Sequence, residues 1–537
     1  MISSSLVIKG VLVLFVLYIL YTVIWEVFFS PLRRIPGPHA ARFTRLWYFT
    51  RVANANFQHE NTTLHRKYGP LVRITPSHVS IDDPSAIKTI YGIGARFPKS
   101  DWYQGSRAPG KRVVTTLFSE QDIKVHAESR KQFQNVYSMS SLVSYETFVD
   151  ECADLFAQRL DEMAARGARG GGGGGGDRVD MAHWFQAYAF DVIACITFGG
   201  RFGFLDAGED IRGMMAQLHD VMRYASLVGI FPRVHDWIFY PSARLGLFGS
   251  AGRVAHMDFV RRRMAVREEE RKLHGGIHKA RAERGSSSSG STPRDFTDRL
   301  WDRHDENPDK TTKDHIFMVG LSNITAGSDT TASTLSGLLY HLLVNPRVLA
   351  RLEDEIMGFA TSGKLSERPT FDETRQMPYL DAVVKEALRL HSAVGLPLWR
   401  VVPEGGVEVA GHFLPAGTNV GVNAWTAHRN EEVWGRDAEV FRPERWLEAQ
   451  AEADVGGNKA RLQRMEAYYL PFGLGSRTCI GRHISILEIS KLVPRLLRDF
   501  AFELARPGEE MQCEDFWFVL PKSLAVKVRR RSTSNET

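Results

Sequence analysis

The longest uninterrupted apolar stretch of the chain lies close to its N-terminus. Residues 10–25 (GVLVLFVLYILYTVIW) carry no charge, and extending the stretch to residues 6–29 adds only Lys9 and Glu26. About 20 apolar residues allow a helix to cross a bilayer. The pattern therefore predicts a membrane anchor over residues 1–30. A cleaved signal peptide is the alternative, but no small-residue cleavage site follows the stretch.

The charges on either side of this stretch predict its orientation. Lys9 is the one basic residue before it, and five arginines follow it closely: Arg33, Arg34, Arg42, Arg45 and Arg51. Because basic residues are retained on the cytosolic side, a single-pass anchor with a cytosolic body is expected. Residues 31–45 contain Pro36-Gly37-Pro38, which predicts a stiff proline-rich hinge that ends the helix.

The patterns of the body predict a mainly α fold with small β-sheets. Residues 71–74 and 78–81 alternate apolar and polar side chains around Thr75-Pro76-Ser77, which predicts two short strands joined by a turn. Helical periodicity dominates from about residue 120 to about residue 500. The glycine run 170–176 and the serine-rich stretch 285–293 interrupt it. Both are predicted to be surface insertions, so residues 46–530 form one domain, followed by a polar tail at 531–537.

Composition excludes several classes of function. The net charge of +6 on 537 residues is mild, and no nucleic-acid-binding motif accompanies it. The four cysteines are widely separated: Cys152, Cys195, Cys479 and Cys513. Neither a disulfide framework nor a zinc site has this spacing, and a reducing compartment is expected. A single cysteine is by default a small buried apolar residue, so a role for Cys479 has to come from its surroundings.

Cys479 lies in the sequence FGLGSRTCIG, residues 472–481. Gly475 and Gly481 allow close backbone approach and positive φ. Phe472 is placed to shield the sulfur, and Arg477 to pair with an anionic group. A helical pattern starts after Cys479, and the N–H groups of a helix N-terminus stabilise a thiolate. This arrangement suits a sulfur that approaches a metal on the face of a large flat ligand.

The motif resembles the haem-thiolate signature FxxGxRxCxG of the cytochrome P-450 family, and every fixed position is matched. The resemblance extends over nearly the whole chain and implies a single cytochrome P-450 fold behind the membrane anchor. It implies haem b as the cofactor, with Cys479 as the axial ligand of the iron and Phe472 beside it. Residues 97–103 (FPKSDWY) and 137–140 (YSMS) are similar to fungal enzymes of the pisatin-demethylase type.

Other family motifs have counterparts in this chain. Glu386 and Arg389 share a helical face at i, i+3, as in the family's ExxR pair. Arg445 lies in the segment 441–446 (FRPERW), which resembles the family's PERF segment. A surface ion pair is the ordinary interpretation of Glu386 and Arg389. The resemblance instead implies that all three residues form a buried structural network behind the haem.

A long helix is predicted from Asp314 to Val344, and its centre reads AGSDTT over residues 326–331. Glycine and threonine are poor helix formers, and a local weakness tolerated by packing would account for them. The stretch also resembles the family's (A/G)Gx(D/E)T oxygen-binding motif. The resemblance implies that Gly327 lets the backbone pass close to the haem, that Thr330 hydrogen-bonds dioxygen and that Asp329 relays protons.

The resemblance also assigns cations to the haem propionates. His126 and Arg130 at i, i+4 are similar to the family's WxxxR pair, with histidine in place of tryptophan. A surface histidine remains the alternative for His126. Arg400 occupies a family position that faces a propionate, and Arg477 is the fourth expected contact. Arg477 and Arg482 are also expected to meet an acidic redox partner.

The resemblance implies an enzyme that inserts oxygen into a C–H bond of an apolar small molecule, with NADPH and dioxygen, in secondary-metabolite biosynthesis. No flavin or NAD fingerprint is present in the sequence. A separate NADPH–cytochrome P-450 reductase in the endoplasmic reticulum membrane is therefore expected, and cytochrome b5 is a further candidate partner. Substrate contacts are expected from residues 102–118, 225–231, 317–324, 393–398 and 516–520.

Two alternatives differ in what they require. A haem-thiolate isomerase or dehydratase needs no reductase and often lacks the threonine found here at Thr330. A non-enzymatic haem-binding membrane protein has no need of the Asp329–Thr330 pair.

Overall fold

The computed structural model describes residues 4–107, 115–169, 178–246, 249–273, 294–455 and 457–531. The glycine run 170–176, the stretch 285–293 and residues 532–537 of the polar tail lie outside these ranges. Helices predominate in the described part, and the strands are short, as the patterns predicted.

The first group of helices lies in the N-terminal half of the chain. They are α1 (Ser4–Ile24), α2 (His39–Phe43), α3 (Leu46–Ala53), α4 (Phe57–Tyr68), α5 (Pro84–Tyr91), α6 (Ile123–Phe133), α7 (Met139–Val143), α8 (Glu146–Arg169), α9 (Met181–Phe198), α10 (Phe204–Ala207), α11 (Met214–Val228) and α12 (Pro232–Arg244).

The second half contains the long central helix. These helices are α13 (Ser250–Leu273), α14 (Phe296–Glu306), α15 (Lys313–Val344), α16 (Pro346–Thr361), α17 (Phe371–Thr374), α18 (Pro378–Leu390), α19 (Ala424–Ala427), α20 (Glu431–Trp434), α21 (Glu444–Val455), α22 (Ala460–Ala467) and α23 (Arg482–Asp499).

The strands form small sheets at the edges of the helical body. They are β1 (Leu71–Thr75), β2 (His78–Ile81), β3 (Arg178–Asp180), β4 (Arg400–Val401), β5 (Val407–Val409), β6 (His412–Leu414), β7 (Asn419–Val422), β8 (Phe500–Leu504), β9 (Cys513–Phe516), β10 (Phe518–Pro521) and β11 (Ala525–Arg530). The largest sheet has the order β1-β2-β7-β4, with β2 and β7 parallel and the other pairs antiparallel. The predicted hairpin of β1 and β2 is confirmed.

Helix α15 runs through the core, where it packs most extensively against α9. Its start is fixed by a capping box, in which Thr312 and His315 bond each other's backbone. Gly327 lies at the contact with α9, since a Cβ at this position would be 2.8 Å from Ile193 Cγ1. The absence of a side chain at Gly327 therefore helps α15 and α9 to pack closely. The expectation that it also lets the backbone pass close to the haem stays a prediction.

Helix α1 continues into a π-helical turn at Trp25–Phe29, and residues 8–29 are long and apolar enough to cross a membrane. Glu26, near the end of the apolar stretch, is buried, and it accepts a 2.5 Å hydrogen bond from Arg73 on β1. The segment expected to be a hinge packs on the same strand. Leu32 and Ile35 are buried, and the Pro36 carbonyl accepts a hydrogen bond from the Arg73 N–H at 2.7 Å.

Candidate active site

Cys479 lies between a tight loop and the start of α23. Its N–H donates to the Phe472 carbonyl at 2.8 Å. Gly475 has a φ of +62°, and a Cβ there would lie 1.8 Å from the Tyr91 carbonyl oxygen, so this position requires glycine. Gly481 has a φ of −84°, which any residue adopts. The expectation of positive φ is thus met at Gly475 and wrong at Gly481.

The surroundings of the Cys479 sulfur act on its charge in opposite directions. Burial raises the pKa of the thiol, and the N–H groups of Gly481 and Arg482 and the guanidinium of Arg130 offset only part of this rise. The cysteine still keeps exposed surface. A side chain can be surrounded by protein and still have exposed surface when it faces an internal cleft. Cys479 therefore lines a cleft that a small molecule can reach.

Helix α15 contributes a second exposed patch inside the protein. Ala326 is exposed and Thr330 half-buried, while their neighbours Ile324 and Ser328 are fully buried. Ala326 and Thr330 are four residues apart and share one helical face, and the Thr330 hydroxyl donates to the Ala326 carbonyl at 2.7 Å. An exposed face in the middle of a core helix indicates that it borders a cleft.

Two contacts bring these exposed positions to the same region. The hydroxyls of Thr331 on α15 and Ser485 on α23 lie 3.1 Å apart. The Tyr137 hydroxyl donates to Asn323 Oδ1 on α15 at 2.6 Å. Burial and then the nearby Cys479 raise the pKa of Tyr137, so this tyrosine is close to both walls. The cleft therefore has the Cys479 loop on one side and α15 on the other.

Five cationic or protonatable side chains converge beside this cleft, and we call them the cation cluster: Lys99, His126, Arg130, Arg400 and Arg477. Burial and then four of these cations lower the pKa of His126 to about 3. Burial and then Arg400 lower the pKa of Arg477 to about 10. Within the described ranges, none of the five forms an ion pair with a carboxylate. The cluster therefore concentrates positive charge without a matching anion.

The cations of the cluster bind backbone carbonyls instead. Arg130 donates to the Thr478 carbonyl at 2.7 Å, and Arg400 donates to the Trp399 carbonyl at 2.9 Å. Arg477 donates to the carbonyls of residues 120, 121 and 122 at 2.8, 3.1 and 3.2 Å. These bonds hold the Arg477 side chain against the protein, whereas Arg482 is exposed. The expectation that the two arginines meet a redox partner stays a prediction.

Lys99 belongs to the cation cluster but was not among the candidates from sequence. It is buried, and its Nζ donates to the carbonyls of Phe118 at 2.6 Å and Leu117 at 3.3 Å. Its strand-like bridge to Arg400 brings the two residues together. The signal was present in the segment FPKSDWY, but the sequence did not indicate where its lysine points.

The residues at the cleft fit haem b. A lone thiolate does not hold a bare metal ion, and the described residues contain no cluster of three potential ligands. A metal that binds this thiol would therefore need an organic ligand of its own. A flat apolar ligand with carboxylates at one edge suits a cleft with a thiol at its floor and the cation cluster at its rim. Phe472, half-buried against the main core, lies beside Cys479.

Asp329 points away from the face that carries Thr330. Its carboxyl is completely buried, and Oδ1 accepts a 2.7 Å hydrogen bond from Gln186 Nε2 on α9. Oδ2 has no hydrogen-bond partner among the described groups. Burial raises the pKa of Asp329 to about 7, against the opposing effect of the Gln186 bond. This carboxyl therefore gains and loses a proton near neutral pH.

Glu386, Arg389 and Arg445 meet in a fully buried network. Glu386 accepts from Arg389 at 2.8 and 3.0 Å and from Arg445 at 3.0 Å. The N–H of Arg442 and Nε1 of Trp446 complete its coordination at 2.9 and 3.0 Å. Although burial opposes ionisation, the two arginines hold the pKa of Glu386 below its ordinary value. Asp437 accepts a further hydrogen bond from Arg445 at 3.2 Å, so the two arginines have two carboxylate partners.

Several of the expected substrate-contact segments meet around one aromatic group. Trp517 lies at the tip of the β9–β10 hairpin. The centre of its ring is 4.8 Å from that of Trp102 and 5.3 Å from that of Phe118. The Gly395 N–H donates to the Trp517 carbonyl at 3.0 Å. Gly105 packs directly against Ala225 and Gly229. Residues 108–114 of the first segment lie outside the described ranges.

Comparison with known proteins agrees with this geometry. The family model for cytochrome P-450 matches residues 36–528. A pisatin demethylase from Fusarium vanettenii is 36% identical over 96% of this chain and 93% of its own length. Cytochrome P-450 monooxygenases from Aspergillus terreus and Emericella nidulans are 37% and 36% identical, over 87% and 93% of this chain and 90% and 94% of their own lengths. The chain therefore belongs to the cytochrome P-450 family and is an oxidoreductase of the monooxygenase type.

Proposed function

We propose that this monooxygenase uses NADPH and dioxygen to insert oxygen into a C–H bond of an apolar small molecule in fungal secondary-metabolite biosynthesis. The observation that carries the proposal is the cleft itself, with the Cys479 thiol on one side, Thr330 on the other and the cation cluster at the rim. Relatives named as monooxygenases and as pisatin demethylase support the reaction class.

The floor of the cleft is suited to a thiolate. The N–H groups of Gly481 and Arg482 and the charge of Arg130 favour the ionised sulfur against the cost of burial. Cys479 would hold the iron of haem b, and Arg130, Arg400, Arg477 and His126 would hold its carboxylates. When bound, thiolate-ligated haem supplies oxygen activation and transfer to an unactivated C–H bond.

The residues of α15 have separate tasks. The Thr330 hydroxyl faces the cleft and donates its hydrogen bond to the Ala326 carbonyl. By rotating away from that carbonyl, it can donate to an oxygen atom in the cleft instead. Asp329 holds a proton at a carboxyl with a pKa of about 7. A group that is half-protonated near neutral pH is matched to repeated proton transfer. Gln186, half-exposed on α9, connects this carboxyl toward solvent.

The aromatic group around Trp517 provides an apolar wall for the substrate. Trp102, Tyr103 and Trp517 are almost fully buried, so they exclude water and offer broad apolar contact. The apolar helix at residues 8–29 would place the cleft near a bilayer, where apolar substrates concentrate. We propose the endoplasmic reticulum membrane, with the body cytosolic and a separate NADPH–cytochrome P-450 reductase as electron donor.

Replacing the sulfur tests the proposal most directly. We expect Cys479→Ser to lose the long-wavelength Soret band that thiolate-ligated haem gives with carbon monoxide after reduction. Cys513→Ser, which removes a half-buried thiol elsewhere, is the matched control and should retain the band. Retention of the band in Cys479→Ser would refute the assignment.

A second measurement separates the monooxygenase from a reductase-independent isomerase or dehydratase. Product formation by the purified enzyme is followed with and without reductase and with and without dioxygen. We expect it to require both. Undiminished turnover after both are removed would favour the isomerase or dehydratase.

A further inference from the structure

Glu26 and Arg73 connect the apolar N-terminal helix to the body through a buried ion pair that has no part in the proposed mechanism. Arg73 on β1 is completely buried, and its Nη2 donates to Glu26 Oε2 at 2.5 Å. Among the described residues, Glu26 is the one carboxylate that forms an ion pair with Arg73. Burial lowers the pKa of Arg73, Glu26 opposes that effect, and the nearby Arg42 adds to it. Burying this guanidinium would therefore be costly without Glu26 beside it.

The other hydrogen bonds of the Arg73 side chain hold it on the turn between β1 and β2. Its Nη2 also donates to the Pro76 carbonyl at 2.6 Å, and its Nε donates to the Thr75 carbonyl at 3.3 Å. Because the turn fixes the guanidinium in one place, Glu26 has to come to it. The ion pair therefore fixes the end of the apolar helix relative to β1.

The short segment from Glu26 to Pro36 is itself bound to the body. Ser30 is buried, and its N–H donates to the Trp25 carbonyl at 2.7 Å. The Pro36 carbonyl accepts from the Arg73 N–H at 2.7 Å. Arg73 thus binds both ends of the segment, Glu26 through its side chain and Pro36 through its backbone. A segment held at both ends on one residue does not act as a loose tether.

Helix α1 is long enough to cross a bilayer without the π-helical turn that carries Glu26. Its 21 residues extend about 31 Å at about 1.5 Å per residue, and the apolar core of a bilayer is about 30 Å thick. In the turn, Trp25 and Phe28 are exposed, whereas Glu26 between them is 7% exposed. Aromatic rings suit the boundary between lipid and water. The ion pair therefore lies where the membrane would end.

We propose that the Glu26–Arg73 pair is a rigid joint between the membrane helix and the catalytic body, which holds the body directly on the bilayer at one fixed angle. The inference rests on the membrane location proposed above. A flexible tether would let the body rotate and move away from the lipid. A rigid joint keeps one side of the body turned toward the bilayer, in which an apolar substrate dissolves.

Trypsin tests the joint, because Arg33 and Arg34 are exposed while the next residue, Ile35, is buried. Cleavage here requires the segment to open locally, and its rate follows the population of the open form. A cut at this site releases the body from the membrane as one fragment. The full-length parent enzyme and the variants Glu26→Gln, Arg73→Met and their combination are compared in phosphatidylcholine vesicles.

We expect Glu26→Gln to release the body about 10- to 100-fold faster than the parent, the factor expected for the loss of one buried charged hydrogen bond. Arg73→Met should also release it faster, and the double variant should be no faster than either single variant, because the two side chains act through one contact. Glu60→Ala, which breaks a half-exposed pair with Arg51, should match the parent. A parent-like rate in Glu26→Gln, or effects that multiply in the double variant, would overturn the proposal.

The fixed angle is measured by the polarised absorption of haem in oriented bilayers. We expect dichroism in the parent enzyme and weaker dichroism in Glu26→Gln. A haem-containing parent enzyme without dichroism would overturn the proposal. A parent enzyme that binds no haem, or that does not sediment with membranes, would instead refute the proposed function or location, and the trypsin rates in detergent would still decide whether Glu26 and Arg73 hold the segment closed.

Discussion

Two of the regions in which the protein buries charged side chains differ in how each charge is compensated. In the network of Glu386, Arg389 and Arg445, the carboxylate accepts from both guanidiniums, and the remaining guanidinium N–H groups bind carbonyls or Asp437. In the cation cluster, the positive groups bind carbonyls and have no carboxylate partner among the described residues. Removing the charges of either region from water costs free energy. Only the cation cluster keeps positive charge that no carboxylate of the described residues balances.

This difference indicates which of the two regions binds a charged ligand. A matched network stabilises the fold and gains nothing from a further ion. An unmatched cluster is stabilised when an anion arrives, so part of the free energy of ligand binding comes from relieving repulsion already present. The His residues of the two regions show the same contrast. Both ring nitrogens of His428 are hydrogen-bonded at 2.8 Å, to the Arg389 carbonyl and the Leu470 N–H, whereas His126 lies among cations.

The largest expected effect is on the matched network. We expect Glu386→Ala to reduce the free energy of unfolding by about 3–5 kcal/mol, because two buried guanidiniums lose their carboxylate. Chemical denaturation of the purified protein measures the change. Glu448→Ala, which breaks half-exposed pairs with Arg442 and Arg461, should cost less than about 1 kcal/mol. Equal losses in the two variants would contradict the distinction.

A smaller effect on stability but a specific effect on cofactor retention is expected in the cation cluster. Arg400→Met should accelerate haem loss by about 10- to 100-fold, as expected for about 1.5–3 kcal/mol from one charged hydrogen bond. Transfer of haem to apomyoglobin gives the rate, and denaturation of the haem-free protein gives the stability. A loss of stability as large as that of Glu386→Ala, with unchanged haem retention, would place Arg400 in a structural role.

Coupling of the reaction should respond to the hydroxyl that faces the cleft. We expect Thr330→Ala to consume NADPH while releasing more hydrogen peroxide and less product, because an oxygen-binding hydroxyl is lost. Thr331→Ala removes a hydroxyl that contacts Ser485 instead and should keep the parent ratio. Peroxide and product are quantified against NADPH consumed, and an unchanged ratio in Thr330→Ala would exclude it from the mechanism.

The last expected effect concerns pH. Burial and the neighbouring cations lower the pKa of His126 to about 3, below its ordinary value of 6.5. The unfolded chain therefore binds a proton that the folded protein rejects, so this contribution to stability is present above pH 6.5 and is lost as the pH falls toward 3. Without haem, His126→Gln should lose the pH dependence contributed by one proton in this window. Thermal unfolding at several pH values measures it, and an unaltered pH dependence would show that the pKa of His126 is not lowered in the folded protein.

The anchor-like helix, the hairpin of β1 and β2, the long helix α15 and the cysteine loop were predictable from sequence. These features depend on local composition, on periodicity or on residues a few positions apart. The helix predicted at Asp314–Val344 is observed at Lys313–Val344, and Glu386 and Arg389 lie on one helix, Pro378–Leu390, as expected. Side-chain identity is enough for such features, because the chain interacts with itself only over short distances.

Tertiary structure alone decided which charges are matched. Lys99 approaches Arg400, Glu26 meets Arg73 and Asp329 turns to Gln186 through contacts between residues far apart in sequence. It also placed Gly327 against Ile193 of α9. A periodic pattern indicates which face of a helix is buried but not what lies against it, and whether a buried charge is satisfied depends on that partner.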